Sequence, residues 1–166
     1  EWPEEGWKMP HLESFEANLN LNGKGALLKA LPELRSLRVG TNGVGEDDIK
    51  QISQILTLKD LTIDTSLRNK RDLSLKEFES LSNLKDLQKL TLYNTSISIE
   101  AGSWLAQLTK LTELRLNSKE LKISNLEFIK KLSLLRVLDL RDTQLSENDL
   151  APIIIHNPNL KLILKR

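Results

Sequence analysis

Apolar residues recur along this chain in one short phrase, L-x-x-L-x-L. It stands at Leu34-x-x-Leu37-x-Val39, Leu58-x-x-Leu61-x-Ile63, Leu87-x-x-Leu90-x-Leu92, Leu111-x-x-Leu114-x-Leu116 and Leu135-x-x-Leu138-x-Leu140, with starts 24, 29, 24 and 24 residues apart. Weaker copies at Leu12-x-x-Phe15-x-Ala17 and Leu160-x-x-Ile163 bring the series to seven units. The alternating L-x-L predicts a short strand with one buried face. Beyond each strand the apolar spacing changes. With five extra residues removed from the 29-residue unit, the column ten residues after the start reads Val44, Leu73, Ile97, Leu121, Leu145. The column at fifteen reads Ile49, Phe78, Gly102, Leu126, Leu150; at eighteen it reads Ile52, Leu81, Leu105, Ile129, Ile153. The column at twenty-one reads Ile55, Leu84, Leu108, Leu132, His156. Only Gly102 and His156 break the pattern. A spacing of three suits one face of a short helix or 3₁₀ segment. Ser74-x-x-Glu77 reads as a capping box, and Glu46, Asp47 and Asp48 favour a helix start. Neither a lone strand nor a lone short helix can bury its apolar side, so the units must stack on one another around a continuous leucine core.

Composition agrees with that picture and narrows the function. A chain of 166 residues is long enough for one domain with a sizeable core. Thirty-six of its residues are leucine, which is what a stacked leucine core requires. Lys and Arg exceed Asp and Glu by only one, so the strong basic bias of a nucleic-acid binder is missing. With no cysteine there is no disulfide, no thiolate metal site and no thiol nucleophile. No apolar run approaches the ~20 residues of a membrane span. Glu1, Glu4 and Glu5 stand where a signal peptide would carry positive charge.

The repeat resembles that of the leucine-rich repeat proteins, from Leu12 to Ile163. The resemblance implies an α/β solenoid: a curved parallel sheet on the concave side, short helices on the convex side. The family's usual Asn after the strand matches only Asn42; Ser66, Thr95, Lys119 and Thr143 stand at the other four positions. Ser and Thr can still donate to neighbouring carbonyls, whereas Lys119 is expected to swing outward. Thr95-Ser96-Ile97-Ser98 and Thr143-Gln144-Leu145-Ser146 look like the 24-residue subclass rather than the ribonuclease-inhibitor type. Residues 12–166 then form an array of about seven units. Residues 1–11 form a cap or part of an upstream repeat, with Trp2, Trp7 and Met9 covering the end of the core. The array is expected either to continue as part of a longer chain or to rely on short caps of its own.

Members of this family usually hold ligands on the concave strands, which points to the exposed positions flanking the buried leucines. They form three rows: Ser36, Asp60, Lys89, Glu113, Val137; then Arg38, Thr62, Thr91, Arg115, Asp139; then Gly40, Asp64, Tyr93, Asn117, Arg141. Tyr and Arg are enriched at binding hot spots. The expected partner contacts are Arg38, Lys89, Tyr93, Arg115, Asp139 and Arg141, led by Tyr93, Arg115 and Arg141. Against this, Lys89 with Glu113 and Arg115 with Asp139 stand on adjacent strands and could simply neutralise each other, such exposed pairs contributing about 0–1 kcal/mol. A second candidate is the insertion around Arg68, Lys70 and Arg71. It should project from a rim as a clip for an acidic partner, or as a solvated loop.

Signals of chemistry are sparse. His11 and His156 fall at opposite ends of the array, too far apart for a shared metal site. His156 is expected to be partly buried, closing the last helix. Asn22-Gly23-Lys24-Gly25 lacks the spacing of a phosphate-binding loop. Asn94-Thr95-Ser96 is a glycosylation sequon beside Tyr93. The residues point to a non-enzymatic module without cofactor or metal that recognises a protein or peptide and not nucleic acid. Two further readings stay open: the substrate receptor of an F-box type ubiquitin ligase, and the ligand-sensing part of an innate-immune receptor. Cysteine-free composition points to the cytoplasm, or to a bacterial protein delivered into a host cell.

Overall fold

The computed structural model describes Met9, residues 11–17, Gly23 and residues 25–40, 44–64 and 72–164. Each repeat phrase lies in or leads into a strand: β1 Ser14–Ala17, β2 Ser36–Gly40, β3 Asp60–Asp64, β4 Lys89–Tyr93, β5 Glu113–Asn117, β6 Val137–Asp139 and β7 Lys161–Ile163. All seven are parallel and lie side by side in chain order. From β1 to β6 the pairing puts repeat beside repeat without slip. The last phrase is corrected by one residue, because Leu162 rather than Ile163 lies beside Leu138, so Leu37, Leu61, Leu90, Leu114, Leu138 and Leu162 form one continuous row. A slip of one residue would turn every leucine to water, and this fixes the register.

Between strands the chain returns through short helices: α1 Glu46–Ile52, α2 Leu75–Leu81, α3 Ile99–Leu105 and α4 Glu147–His156, with 3₁₀ segments at Gly25–Ala30 and Ile123–Lys131. Neighbouring helical segments pack on one another in sequence order. One hydrophobic core runs between the strand layer and the helical layer. The columns at fifteen and eighteen residues are buried throughout, and those at ten and twenty-one are buried except for Leu145, which is partly exposed, and His156. No helix among the described residues is long and apolar enough to cross a membrane.

The two breaks in the pattern have different physical reasons. Gly102 is buried in α3, and a Cβ there would lie 2.9 Å from Phe128 Cδ1 of the next unit. The missing side chain in one unit is thus filled by a larger one from its neighbour. His156 corrects the sequence reading. It is exposed at the end of α4, its Nδ1 2.8 Å from the Pro152 carbonyl. Asn157 turns in instead, donating from Nδ2 to the Ile129 carbonyl at 3.4 Å.

Helix starts follow side-chain chemistry. Ser74 and Glu77 cap α2 reciprocally: the Ser74 amide donates to Glu77 Oε2 at 2.8 Å, and the Glu77 amide donates to Ser74 Oγ at 3.3 Å. Ser98 and Ser146 accept the equivalent amides of α3 and α4. At α1 the N-cap is Gly45, which has no side chain to offer. Asp48 serves there from inside the helix, fully buried, and its carboxylate accepts the amides of Gly23 (3.1 Å), Gly25 (2.8 Å) and Gly45 (3.1 Å).

Among the described residues, the turns after β4, β5 and β6 divide into two kinds. Asn94 and Asp142, seven residues into their units, adopt left-handed backbone with φ of 56° and 65°. The residue that follows, Thr95 or Thr143, then points inward. Thr95 Oγ1 accepts the Leu73 amide of the preceding unit at 3.0 Å, and Thr143 Oγ1 donates to the Leu140 carbonyl at 2.7 Å. In the unit between them Ser118 turns inward at the seventh position and Lys119 is exposed, as expected of a lysine there. Met9 is exposed. Trp2, Trp7, most of residues 1–11, Asn42, Ser66 and the insertion residues Arg68, Lys70 and Arg71 lie outside the described residues.

Candidate functional site

On β2 to β6 the side opposite the leucine row carries the three outward rows. The pairing aligns the first two as expected from the repeat and the third from Gly40 to Asn117, with Arg141 lying past the end of β6. The first row joins Ser36, Asp60, Lys89, Glu113 and Val137. Lys89 Nζ lies 3.5 Å from Glu113 Oε2, so that pair is neutral. Beside it, burial pushes the Asp60 carboxyl up; Lys89 opposes that shift and Glu113 adds to it.

The second and third rows converge on a cluster spanning β4 to β6. Arg115, on β5, has Tyr93 diagonally across on β4 and Asp139 directly opposite on β6. Its Nη1 donates to the Tyr93 hydroxyl at 3.1 Å. Its Nε sits 2.7 Å from Asp139 Oδ2. That N–H does not point along the line between the atoms, so the contact is an ion pair rather than a directed hydrogen bond. Arg141 reaches the same carboxylate from beyond the end of β6. Its backbone amide donates to Oδ1 at 3.1 Å, its Nε to Oδ1 at 3.0 Å and its Nη2 to Oδ2 at 2.8 Å. This is the forked guanidinium–carboxylate geometry that fixes orientation as well as distance.

Burial separates the roles within the cluster. The Asp139 side chain is 1% exposed, against 30% for Arg115 and 50% for Arg141. Asp139 therefore corrects the sequence reading: it stands at an outward register position, but the two arginines cover it and a partner cannot touch it. Its work is to hold them. Burial pushes its carboxyl up, but the Arg141 hydrogen bonds and the charges of Arg115 and Arg141 outweigh this, holding it below the ordinary 3.8. The Tyr93 hydrogen bond and the Asp139 charge in turn raise the Arg115 guanidinium, against its own partial burial.

Of the remaining expected contacts, Lys89 is exposed in the neighbouring row and tied to Glu113. Arg38 is exposed on β2, separated from Arg115 by Thr62 and Thr91, so it is not part of the cluster. Two residues join that the sequence did not single out as contacts. Asn117 Nδ2 donates to Asp142 Oδ2 at 3.0 Å, and the Asp142 charge acts on Arg141. The available signal was the shared offset of Asn94 and Asp142, both residue types that tolerate a left-handed turn. Among the described residues, no group of His, Asp and Glu is placed to hold a metal ion.

Neither a scan of protein-family models nor a search of curated proteins finds a match for this chain. Solved structures do match. Internalin C2 from Listeria monocytogenes aligns with 84% of this chain and 55% of its own, at 23% identity and a TM-score of 0.55. TLR13, in its complex with ssRNA13, aligns with 92% of this chain and 22% of its own, at 20% identity and a TM-score of 0.59. The chain thus spans about half of the first and about a fifth of the second. Parallel strands in unbroken register, interleaved short helices and these two likenesses give the chain the leucine-rich repeat fold.

Proposed function

We propose that this repeat array is a non-enzymatic recognition module that binds another protein, or a peptide, on its concave strand face. The observation that carries the reading is the Tyr93–Arg115–Arg141 cluster, held by a buried carboxylate across three adjacent strands. Aromatic and arginine side chains supply much of the energy at protein interfaces. Side chains already fixed in place lose less freedom on binding. Exposed Arg38 and Lys89 extend the same face, and the insertion at Arg68, Lys70 and Arg71 is proposed as a rim contact outside the described residues. TLR13 was solved with RNA, but a net charge of +1 and alternating signs along this face favour a protein partner here.

The test is affinity capture from cell extract with two immobilised proteins. One is the wild-type chain; the other carries Tyr93→Ala, Arg115→Ala, Asp139→Ala and Arg141→Ala. Asp139 is replaced together with its arginines so that no carboxylate is left without its counter-ions. Circular dichroism melts establish that both are folded. A protein held by the wild type and lost with the variant supports recognition on the strand face. Equal capture by both rejects it and moves recognition to the rim or the helices.

A further inference from the structure

We infer that the Tyr93–Arg115–Arg141 cluster reads an acidic side chain, an Asp or Glu carboxylate presented by the partner; this rests on the recognition proposed above and specifies its chemistry. Both Asp139 oxygens are engaged: Oδ1 takes the Arg141 amide and Nε, and Oδ2 takes Arg141 Nη2 and the charge of Arg115 Nε. A guanidinium has more N–H donors than these contacts use. The remaining donors of both arginines find no acceptor among the described residues. Two partly exposed guanidiniums therefore share one buried carboxylate and present directed donors outward. An incoming carboxylate can accept two of them at once, the pairing for which arginine is suited.

Specificity comes from those directed donors and not from a broad positive field. Lys89 is balanced by Glu113, and Asp142, held by Asn117, lies near Arg141. Asp64 stands opposite Tyr93 in register. A polyphosphate chain would meet these carboxylates as it tracked along the face, whereas a single carboxylate fits between them. Binding of this kind should change little with salt, unlike the steep dependence of a nucleic-acid complex.

Random peptides displayed on phage or yeast are selected against the wild-type chain and counter-selected against Arg115→Gln/Asp139→Asn/Arg141→Gln, which again leaves no carboxylate without its counter-ions. Support is a set of enriched peptides sharing an Asp or Glu whose change to Asn or Gln weakens binding by about tenfold or more. Enriched peptides that need both arginines but contain no essential acid overturn this inference and leave recognition on the strand face standing. Enrichment indifferent to the arginines overturns both. So does a short oligouridylate that binds wild type at physiological salt and displaces every selected peptide. Should that variant fail to fold, the wild type alone decides. The Nε–Hε resonances of Arg115 and Arg141 must shift with an acidic selected peptide and stay in place with its amidated counterpart; shifts that are equal, or absent with both, reject the inference.

Discussion

Asn94 and Asp142 show how single residues shape a turn. A side chain in left-handed backbone generally costs about 1–2 kcal/mol, and Asn and Asp bear it better than most. At both turns the left-handed residue swings a threonine inward, where its hydroxyl bonds to backbone. In urea unfolding, Asn94→Val should be less stable than Asn94→Gly by about 1–2 kcal/mol, because only the valine has a side chain to strain in left-handed backbone. Gly102 tests packing in the same way. Alanine is the better helix former by about 1 kcal/mol, yet its Cβ would press on the Phe128 ring at 2.9 Å. Overpacking by about 1–3 kcal/mol outweighs that gain. Gly102→Ala should therefore destabilise the protein, and a double-mutant cycle should show Phe128→Leu recovering much of the loss.

At the scale of elements, strands and helices were legible in the sequence because their causes repeat. Leucines at fixed offsets predicted seven strands and the register of the first six, the last being set one residue late where its phrase is weakest, and Ser74 with Glu77 announced the start of α2. The cluster on the strand face was legible only in outline. Arg115 and Asp139 could be set side by side from the repeat alone. That Arg141 bends back over Asp139 depends on β6 ending after Asp139 and on the left-handed turn at Asp142, which spacing does not carry. The hold of Arg141 and Arg115 on Asp139, which outweighs its burial, has a measurable counterpart in pH. Its carboxyl lies below the ordinary value in the folded protein. The stability it contributes is complete above the unfolded pKa and fades as pH falls through the folded one. Urea unfolding should thus lose free energy below about pH 4, with a shallower fall in Asp139→Asn. Asp86, Glu100 and Asp149 are also held low, by their own hydrogen bonds, so the variant should keep part of the slope.

For the whole molecule, order in sequence is order in space. Every strand from β2 to β6 pairs with the unit before and the unit after, and neighbouring helical segments pack in the same order, so stability passes from neighbour to neighbour. Asp48 makes one of these couplings discrete. It belongs to α1 in the second unit, yet it takes the Gly23 and Gly25 amides from the return path of the first as well as its own Gly45. Space around Gly25 is adapted to this, since a Cβ there would lie 2.9 Å from Asp48 Oδ1. The carboxylate works as a latch, and a latch has one release rate. In hydrogen exchange, the amide protons of Gly23, Gly25 and Gly45 should trade with solvent together. Asp48→Asn should quicken all three in step while the amides of β4 and β5 keep their pace. Three amides up to 22 residues apart in the chain would then report a single opening event, the parting of the first unit from the second.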